Sequence, residues 1–319
     1  MPGLQKNVRK LRIQLSLIIK MKAIKCFSVI CLFIFICCST DNNQEYTNTN
    51  VNTTPVSQID NTGPILTSNS TGVFRFTANG FFNNRTINVY YHIPDGDITS
   101  MPILMSFHGG SRNADDYRDY WINMANNLNF MVFAPEFESG DFSSDEYNLG
   151  NIFDDGDNPS SGTYNPIEEW TFSMLDPLFE YVKSEINGTQ ENYNGWGHSA
   201  GSQFLHRFVM FVPNSKLNIA VCSNAGWYTV PESEINFPYG LNQGQIDTNT
   251  LNLAFSKKLY VHLAENDTNP NSSSLRHNEI VDEQQGLHRR ARGRYFYATS
   301  EGTANQNQTE FNWIKTDEV

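Results

Sequence analysis

Tyr193-Asn194-Gly195-Trp196-Gly197-His198-Ser199-Ala200-Gly201 decides how this chain is read. Its last five residues spell Gly-x-Ser-x-Gly around Ser199. Such a stretch makes sense where a strand ends, the chain turns sharply and a helix starts at once. A side chain two residues before or after the serine would collide with its neighbours, so those places want glycine. The flanks fit. Residues 193–197 read as a short strand. Residues 201–211 place Phe204, Leu205, Phe208, Val209 and Phe211 at helical spacing, and Pro213 stops that helix. The bare motif occurs in many small-residue turns. With a strand before it and a helix after it, Ser199 is expected to be an exposed nucleophile.

Outward from this turn, strand and helix patterns alternate. Residues 73–77 and 85–92 alternate in polarity around Asn79-Gly80 and Asn83-Asn84, the pattern of a β-hairpin. Residues 103–107, 130–135, 217–222 and 258–263 are apolar runs, as strands buried on both faces should be. Helices are expected over 115–129, 167–186 and 278–292, and an extended segment over 311–319. Residues 136–164, rich in Gly, Asp and Ser, read as a surface excursion. The order predicts an α/β fold with a mostly parallel central sheet and helices on both faces.

The chain has 319 residues, 39% hydrophobic, with a net charge of −12. That length suits one large domain or two small ones and is ample for a buried core. Residues 1–38 hold seven Lys and Arg and no acid, which leaves 15 bases against 34 acids in the remainder. So acidic a body repels nucleic acid and anionic polymers and favours neutral substrates.

Met21-Lys22-Ala23-Ile24-Lys25 is a charged start, and 26–38 is an apolar run too short to span a bilayer. Residues 1–38 therefore read as an N-terminal extension and signal peptide. Cys37-Cys38-Ser39 resembles the cleavage box of bacterial lipoproteins, with Cys38 as the lipidated residue and Cys37 as the alternative. An ordinary signal cleaved nearby, or a retained anchor, are the plainer readings. Residues 39–72, mostly Asn, Thr, Ser and Asp, read as a disordered tether, and 73–319 as the folded domain. Only Cys222 falls in that domain, so no internal disulfide forms there. The expectation is an exported protein, periplasmic or cell-surface if lipidated and otherwise secreted, touching a membrane only through its lipid.

In open α/β sheets the ligand sits at the carboxyl ends of the strands. Three strand ends carry chemistry here. Ser199 is one. His108-Gly109-Gly110-Ser111 is the second: backbone N–H groups of Gly110 and Ser111, with that of Ala200, would form an oxyanion hole. Asp267 is the third, an acid placed to orient a catalytic histidine, with Glu265 as the fallback. His108, His198, Trp227 and Tyr228 are candidate pocket residues, although the two aromatics suit a lid or core equally. His206 reads as a packed histidine, His92 and His262 sit in strands, and Arg289, Arg290, Arg292 and Arg294 read as a solvated or salt-bridged helix end. Asp154-Asp155-Gly156-Asp157-Asn158 lacks the alternating ligands and distant Glu of a calcium loop and reads as a solvated loop, so no metal is expected.

Taken together, His108-Gly109-Gly110, Gly197-His198-Ser199-Ala200-Gly201 and the late acid resemble an α/β-hydrolase. Asn224-Ala225-Gly226-Trp227-Tyr228, Glu265 through Pro270, and Gln285 through Gly293 narrow the resemblance to the secreted polyhydroxybutyrate-depolymerase-like or feruloyl-esterase-like hydrolases. The resemblance covers 73–319. It implies a serine carboxylester hydrolase acting on a small-molecule or polymer ester, with no cofactor. A non-catalytic binding lipoprotein and a serine peptidase on the same fold are the alternatives. It also implies a histidine in the loop after the last strand, followed by a closing helix. Only His277 and His288 follow Asp267, both ahead of that strand, so the further expectation is a C-terminally truncated copy, poorly active and prone to aggregate.

Overall fold

The computed structural model describes residues 66–160, 162–272 and 274–317. The expected signal, Cys38 and most of the expected tether lie outside the described residues. The boundary expected at residue 73 falls inside a strand, because Leu66 is already buried and pairing begins at Ser70.

Strands β1 (Ser70–Thr77) and β2 (Thr86–Ile93) form the expected hairpin, with Phe74 opposite Val89. β3 (Ile103–Phe107) and β4 (Met131–Pro135) are buried along their whole length. β5 (Tyr193–His198), β6 (Leu217–Ser223), β7 (Lys258–His262) and β8 (Ile314–Thr316) complete one eight-stranded sheet in the order β1-β2-β4-β3-β5-β6-β7-β8. β2 runs antiparallel to β1 and β4, and every pairing from β4 to β8 is parallel.

Strand order and right-handed crossovers place the helices on both faces. From β3 the chain moves one way to β4 through α1 (Ala114–Asp119) and α2 (Ile122–Leu128). From β4 onward it moves the other way, so α4 (Leu175–Glu185), α5 (Ala200–Phe211), α6 (Thr248–Ser256) and α8 (Arg289–Gln306) cover the opposite face. Alternation along β5 matches. Gly195 faces Leu205 of α5, and Trp196 packs on Tyr117 and Trp121.

Four expectations needed correction. The helix expected over 115–129 breaks at Tyr120 and Trp121, where the Trp121 indole donates to the buried Ser106 hydroxyl at 3.2 Å. The segment after β4 is no surface excursion: Phe137, Phe142, Tyr147, Leu149, Ile152 and Phe153 are buried. Tyr147 and Phe137 lie 5.2 and 5.5 Å from the Phe204 ring of α5, and the segment carries a helix, α3 (Ser144–Asn148), closed by a Ser143–Glu146 capping box. The helix expected over 167–186 starts as 3-10 turns and becomes α-helical only at Leu175. The last long helix is two: α7 (Glu279–Gln285) stops at Gly286, whose φ of 94° ends it, and α8 continues to Gln306.

All twelve residues of α5 are buried. At about 1.5–3 kcal/mol for each large apolar side chain buried, this helix anchors the fold and the strand end before it.

Candidate active site

Ser199 follows directly on β5, flanked by β3 on one side and β6 on the other. Its φ and ψ are 55° and −113°, a conformation that costs an L-residue about 1–3 kcal/mol. The surroundings impose it. The Ser199 N–H donates to Ser223 O at 3.0 Å, and the Gln203 N–H donates to Ser199 O at 3.0 Å. A Cβ on Gly197 would run into the Gly201 backbone, and one on Gly201 into the carbonyls of Phe107 and His108. Serine is a common helix N-cap, and there its hydroxyl bonds the first turn. Ser199 occupies that position without any side-chain cap bond, so its Oγ is not spent on the helix.

The turn after β3 lies against this elbow. Gly109 packs so closely that a Cβ there would meet the Tyr117 hydroxyl at 2.8 Å and approach His198 O at 3.9 Å. The Arg112 N–H donates back to Gly109 O at 3.2 Å and closes the turn. Gly110 and Ser111 are exposed at its crest, while Ala200 is buried at the start of α5. Sequence reasoning missed what fixes this turn. Arg112 bonds the carbonyls of Phe137 and Ser143 and lies 4.5 Å above the Tyr147 ring.

His108 does not line the cleft as expected. It is fully buried, and its Nε2 accepts the Phe137 N–H at 3.0 Å, so Nδ1 carries the proton and faces Gly109 O. Burial holds its pKa down to about 3. It is a neutral strut between two strand ends. Trp227 and Tyr228 are also core. Trp227 is held between the guanidiniums of Arg207 and Arg276, at 4.3 and 4.9 Å, and Tyr228 stacks on Phe296 at 4.6 Å. His198 keeps partial exposure next to Ser199, and its Nδ1 lies 3.2 Å from the Tyr117 hydroxyl.

Asp267 lies in the loop after β7. Asn224, with φ 46°, joins the ends of β6 and β7: its N–H donates to His262 O and its Oδ1 accepts from Ala264 N. The loop then turns through Asp267 N–H to Ala264 O, 3.3 Å. Asp267 is turned inward, its side chain 15% exposed, whereas Glu265 points to solvent. Arg289 stands 3.6 Å from its Oδ1. Burial pushes the Asp267 carboxyl up, while Arg289 and then His288 pull it back, with a net rise.

Neither later histidine bonds Asp267. His277 gives Nδ1 to Asp282 and Nε2 to Pro270 O. His288 uses Nδ1 to accept the Ala291 N–H and cap α8. Among the described residues no cluster of three or more His, Cys, Asp and Glu is arranged to hold a metal. A cavity of about 780 Å³ opens between residues 231–251 and the end of α8, and none of the candidate residues lines it.

Two solved structures resemble this one closely. Poly(aspartic acid) hydrolase-1 from Sphingomonas sp. KT-1 is 37% identical, over 79% of this chain and 92% of that one, with a TM-score of 0.73. LpqC, a poly(3-hydroxybutyrate) depolymerase from Bordetella parapertussis, is 25% identical over 78% of this chain and 83% of that one, with a TM-score of 0.72. No protein-family model and no curated protein matches the chain.

Proposed function

The chain belongs to the α/β-hydrolases, in the polyhydroxybutyrate-depolymerase-like group, and from that premise we propose that it is a serine esterase working through an acyl-enzyme on Ser199. The observation that carries this reading is the Ser199 backbone. A strained residue whose hydroxyl makes no cap bond serves reaction rather than packing.

In the proposed reaction Ser199 Oγ attacks the ester carbonyl and its proton passes to a histidine oriented by Asp267. The N–H of Ala200 and an N–H from the Gly110–Ser111 turn receive the oxyanion. Collapse breaks the bond to the alcohol, which leaves with the proton. Water then attacks the acyl-enzyme by the same route and frees the acid. His277 is not that base, being committed to Asp282 and Pro270 O.

The substrate is a neutral small-molecule or polymer ester, in keeping with the acidic chain and with a polyester depolymerase among its neighbours. Purified protein assayed on p-nitrophenyl acyl esters, feruloyl esters and polyhydroxybutyrate tests this. Hydrolysis of at least one, lost in Ser199→Ala, is expected; a folded protein inert on all three would be a binder on this fold. One observation favours a second reading, amide hydrolysis: the 37% identical neighbour is a poly(aspartic acid) hydrolase, and that polymer is joined by amide bonds. Amide turnover outpacing ester turnover would select it.

Export and anchoring at Cys38 are part of the proposal. They rest on the charged start, the apolar run and the polar stretch that follows. Cells fed a labelled fatty acid should label the protein and not Cys38→Ala; no label in either leaves plain secretion.

A further inference from the structure

Helix α8 begins in a way that its own electrostatics oppose. The N-terminus of a helix is its positive pole, where acids are favoured and cations are not. The first two turns of α8 carry Arg289, Arg290, Arg292 and Arg294, with no acid in the first turn. Something outside the helix must offset that cost. Two carboxylates offset most of it. Arg292 pairs with Asp282 at 2.7 Å, and Arg290 and Arg294 with Asp317. Those pairs tie α8 to α7 and to the end of β8.

Arg289 is different. It is 9% exposed, and its two terminal nitrogens take fixed partners: Nη1 donates to Ser272 Oγ at 3.0 Å and Nη2 to Ser274 Oγ at 2.9 Å. So anchored, the guanidinium stands 3.6 Å from Asp267 Oδ1. The same helix start grips the backbone of the acid loop. The Arg290 N–H donates to Asp267 O at 3.2 Å, and Arg290 Nη1 to Glu265 O at 3.0 Å. The loop is thus held from behind at two carbonyls and at one carboxylate.

We propose that Arg289 is a positioning residue of the active site: anchored on Ser272 and Ser274, its guanidinium pins the Asp267 carboxylate in the orientation that a catalytic base needs. This rests on the reading of Asp267 as the catalytic acid. Arg289 is assigned no step of the reaction: its terminal nitrogens face Ser272, Ser274 and Asp267. Its two effects are orientation and charge. The charged and titratable groups that face Asp267 are Arg289 and His288 from the start of α8 and Tyr228 from the loop after β6; Arg290 turns its own side chain to Asp317 and Glu265 O. Burial favours the protonated carboxyl, and Arg289 is the main group opposing it.

The test uses the full chain as wild type, Arg289→Gln, Arg289→Lys and Asp267→Asn. Two readouts are taken: the titration of the Asp267 carboxyl by ¹³C NMR, assigned through Asp267→Asn, and the pH profile of kcat/KM on p-nitrophenyl acetate. Removing the cation withdraws what stabilises the carboxylate, so its pKa must rise, by about one unit or more for a neighbour this close. In Arg289→Gln we expect that rise, a fall in kcat/KM, and an acid limb moved to higher pH. Arg289→Lys keeps the charge without the two-pronged anchor. It should restore most of the titration and only part of the turnover. An unchanged Asp267 titration and acid limb in folded Arg289→Gln overturns the positioning role and leaves the esterase reading intact. Wild-type turnover in Asp267→Asn removes Asp267 from catalysis, and with it any positioning role for Arg289, whatever the NMR shows. If Arg289→Gln does not fold, Arg289→Lys decides: lysine with wild-type kcat/KM and profile rejects the two-pronged anchor.

Discussion

Gly201 lies so close to Phe107 that a Cβ on it would run into the Phe107 carbonyl oxygen. This contact brings the first turn of α5 onto the end of β3. It sets Ser199, the Ala200 amide and the turn at Gly109 within one small space. Two strand ends and a helix N-terminus converge there because glycine at 197 and 201 lets their backbones touch.

Gly201→Ala should therefore destabilise the protein by about 1–3 kcal/mol, the usual cost of forcing extra atoms into a packed place. Gly110→Ala is the control, since nothing lies within 4 Å of its Cβ position. It should stay within about 0.5 kcal/mol of wild type. Urea melts of the two variants check this; equal midpoints would mean that the elbow is looser than the structure shows.

Asp267 and Glu265 compete for the role of catalytic acid, and only Asp267 faces inward. Asp267→Asn should lower kcat by about 10⁴, since an amide holds the wrong histidine tautomer. Glu265→Gln should leave turnover near wild type. Steady-state kinetics on a p-nitrophenyl ester separates them, and the opposite ranking would move the role to Glu265.

His108 gives a pH signature. It is buried and neutral, with a pKa held down to about 3 from an ordinary value of 6.5. The unfolded chain accepts a proton that the folded chain refuses. Its contribution is full above about pH 6.5 and is lost progressively as pH falls toward about 3. His108→Gln should flatten the fall in stability between pH 7 and pH 5, read as urea midpoints. A variant with the wild-type slope would place the acid sensitivity elsewhere, with buried His206 the next candidate.

The elbow was legible because local sterics dictate it: glycines two residues either side of Ser199 answer a backbone need, whatever the rest of the chain does. The core strands were legible for a similar reason, as runs such as 103–107 have no polar face to misread. The segment after β4 was not. Its Phe137, Phe142, Tyr147 and Phe153 are scattered among Gly, Asp and Ser without a helical or strand period, and only the Phe204 ring and its neighbours show where they go. Helix α8 hid for another reason. Its cationic start contradicts the usual helix signal, and the acids that offset it come from Asp267, Asp282 and Asp317, up to 27 residues away in sequence. The site aromatics show the same limit. Trp227 and Tyr228 suited pocket or core equally, and the choice was made by Arg207, Arg276 and Phe296, none of them a neighbour in sequence.

The central claim is that Ser199 is an activated nucleophile. The most direct measurement treats the folded full-length protein with a fluorophosphonate probe and locates the adduct by peptide mass spectrometry. The account predicts one adduct on Ser199, absent from Ser199→Ala, with the variant's thermal midpoint close to wild type. No adduct on folded wild type, or an adduct that persists in Ser199→Ala, would contradict it.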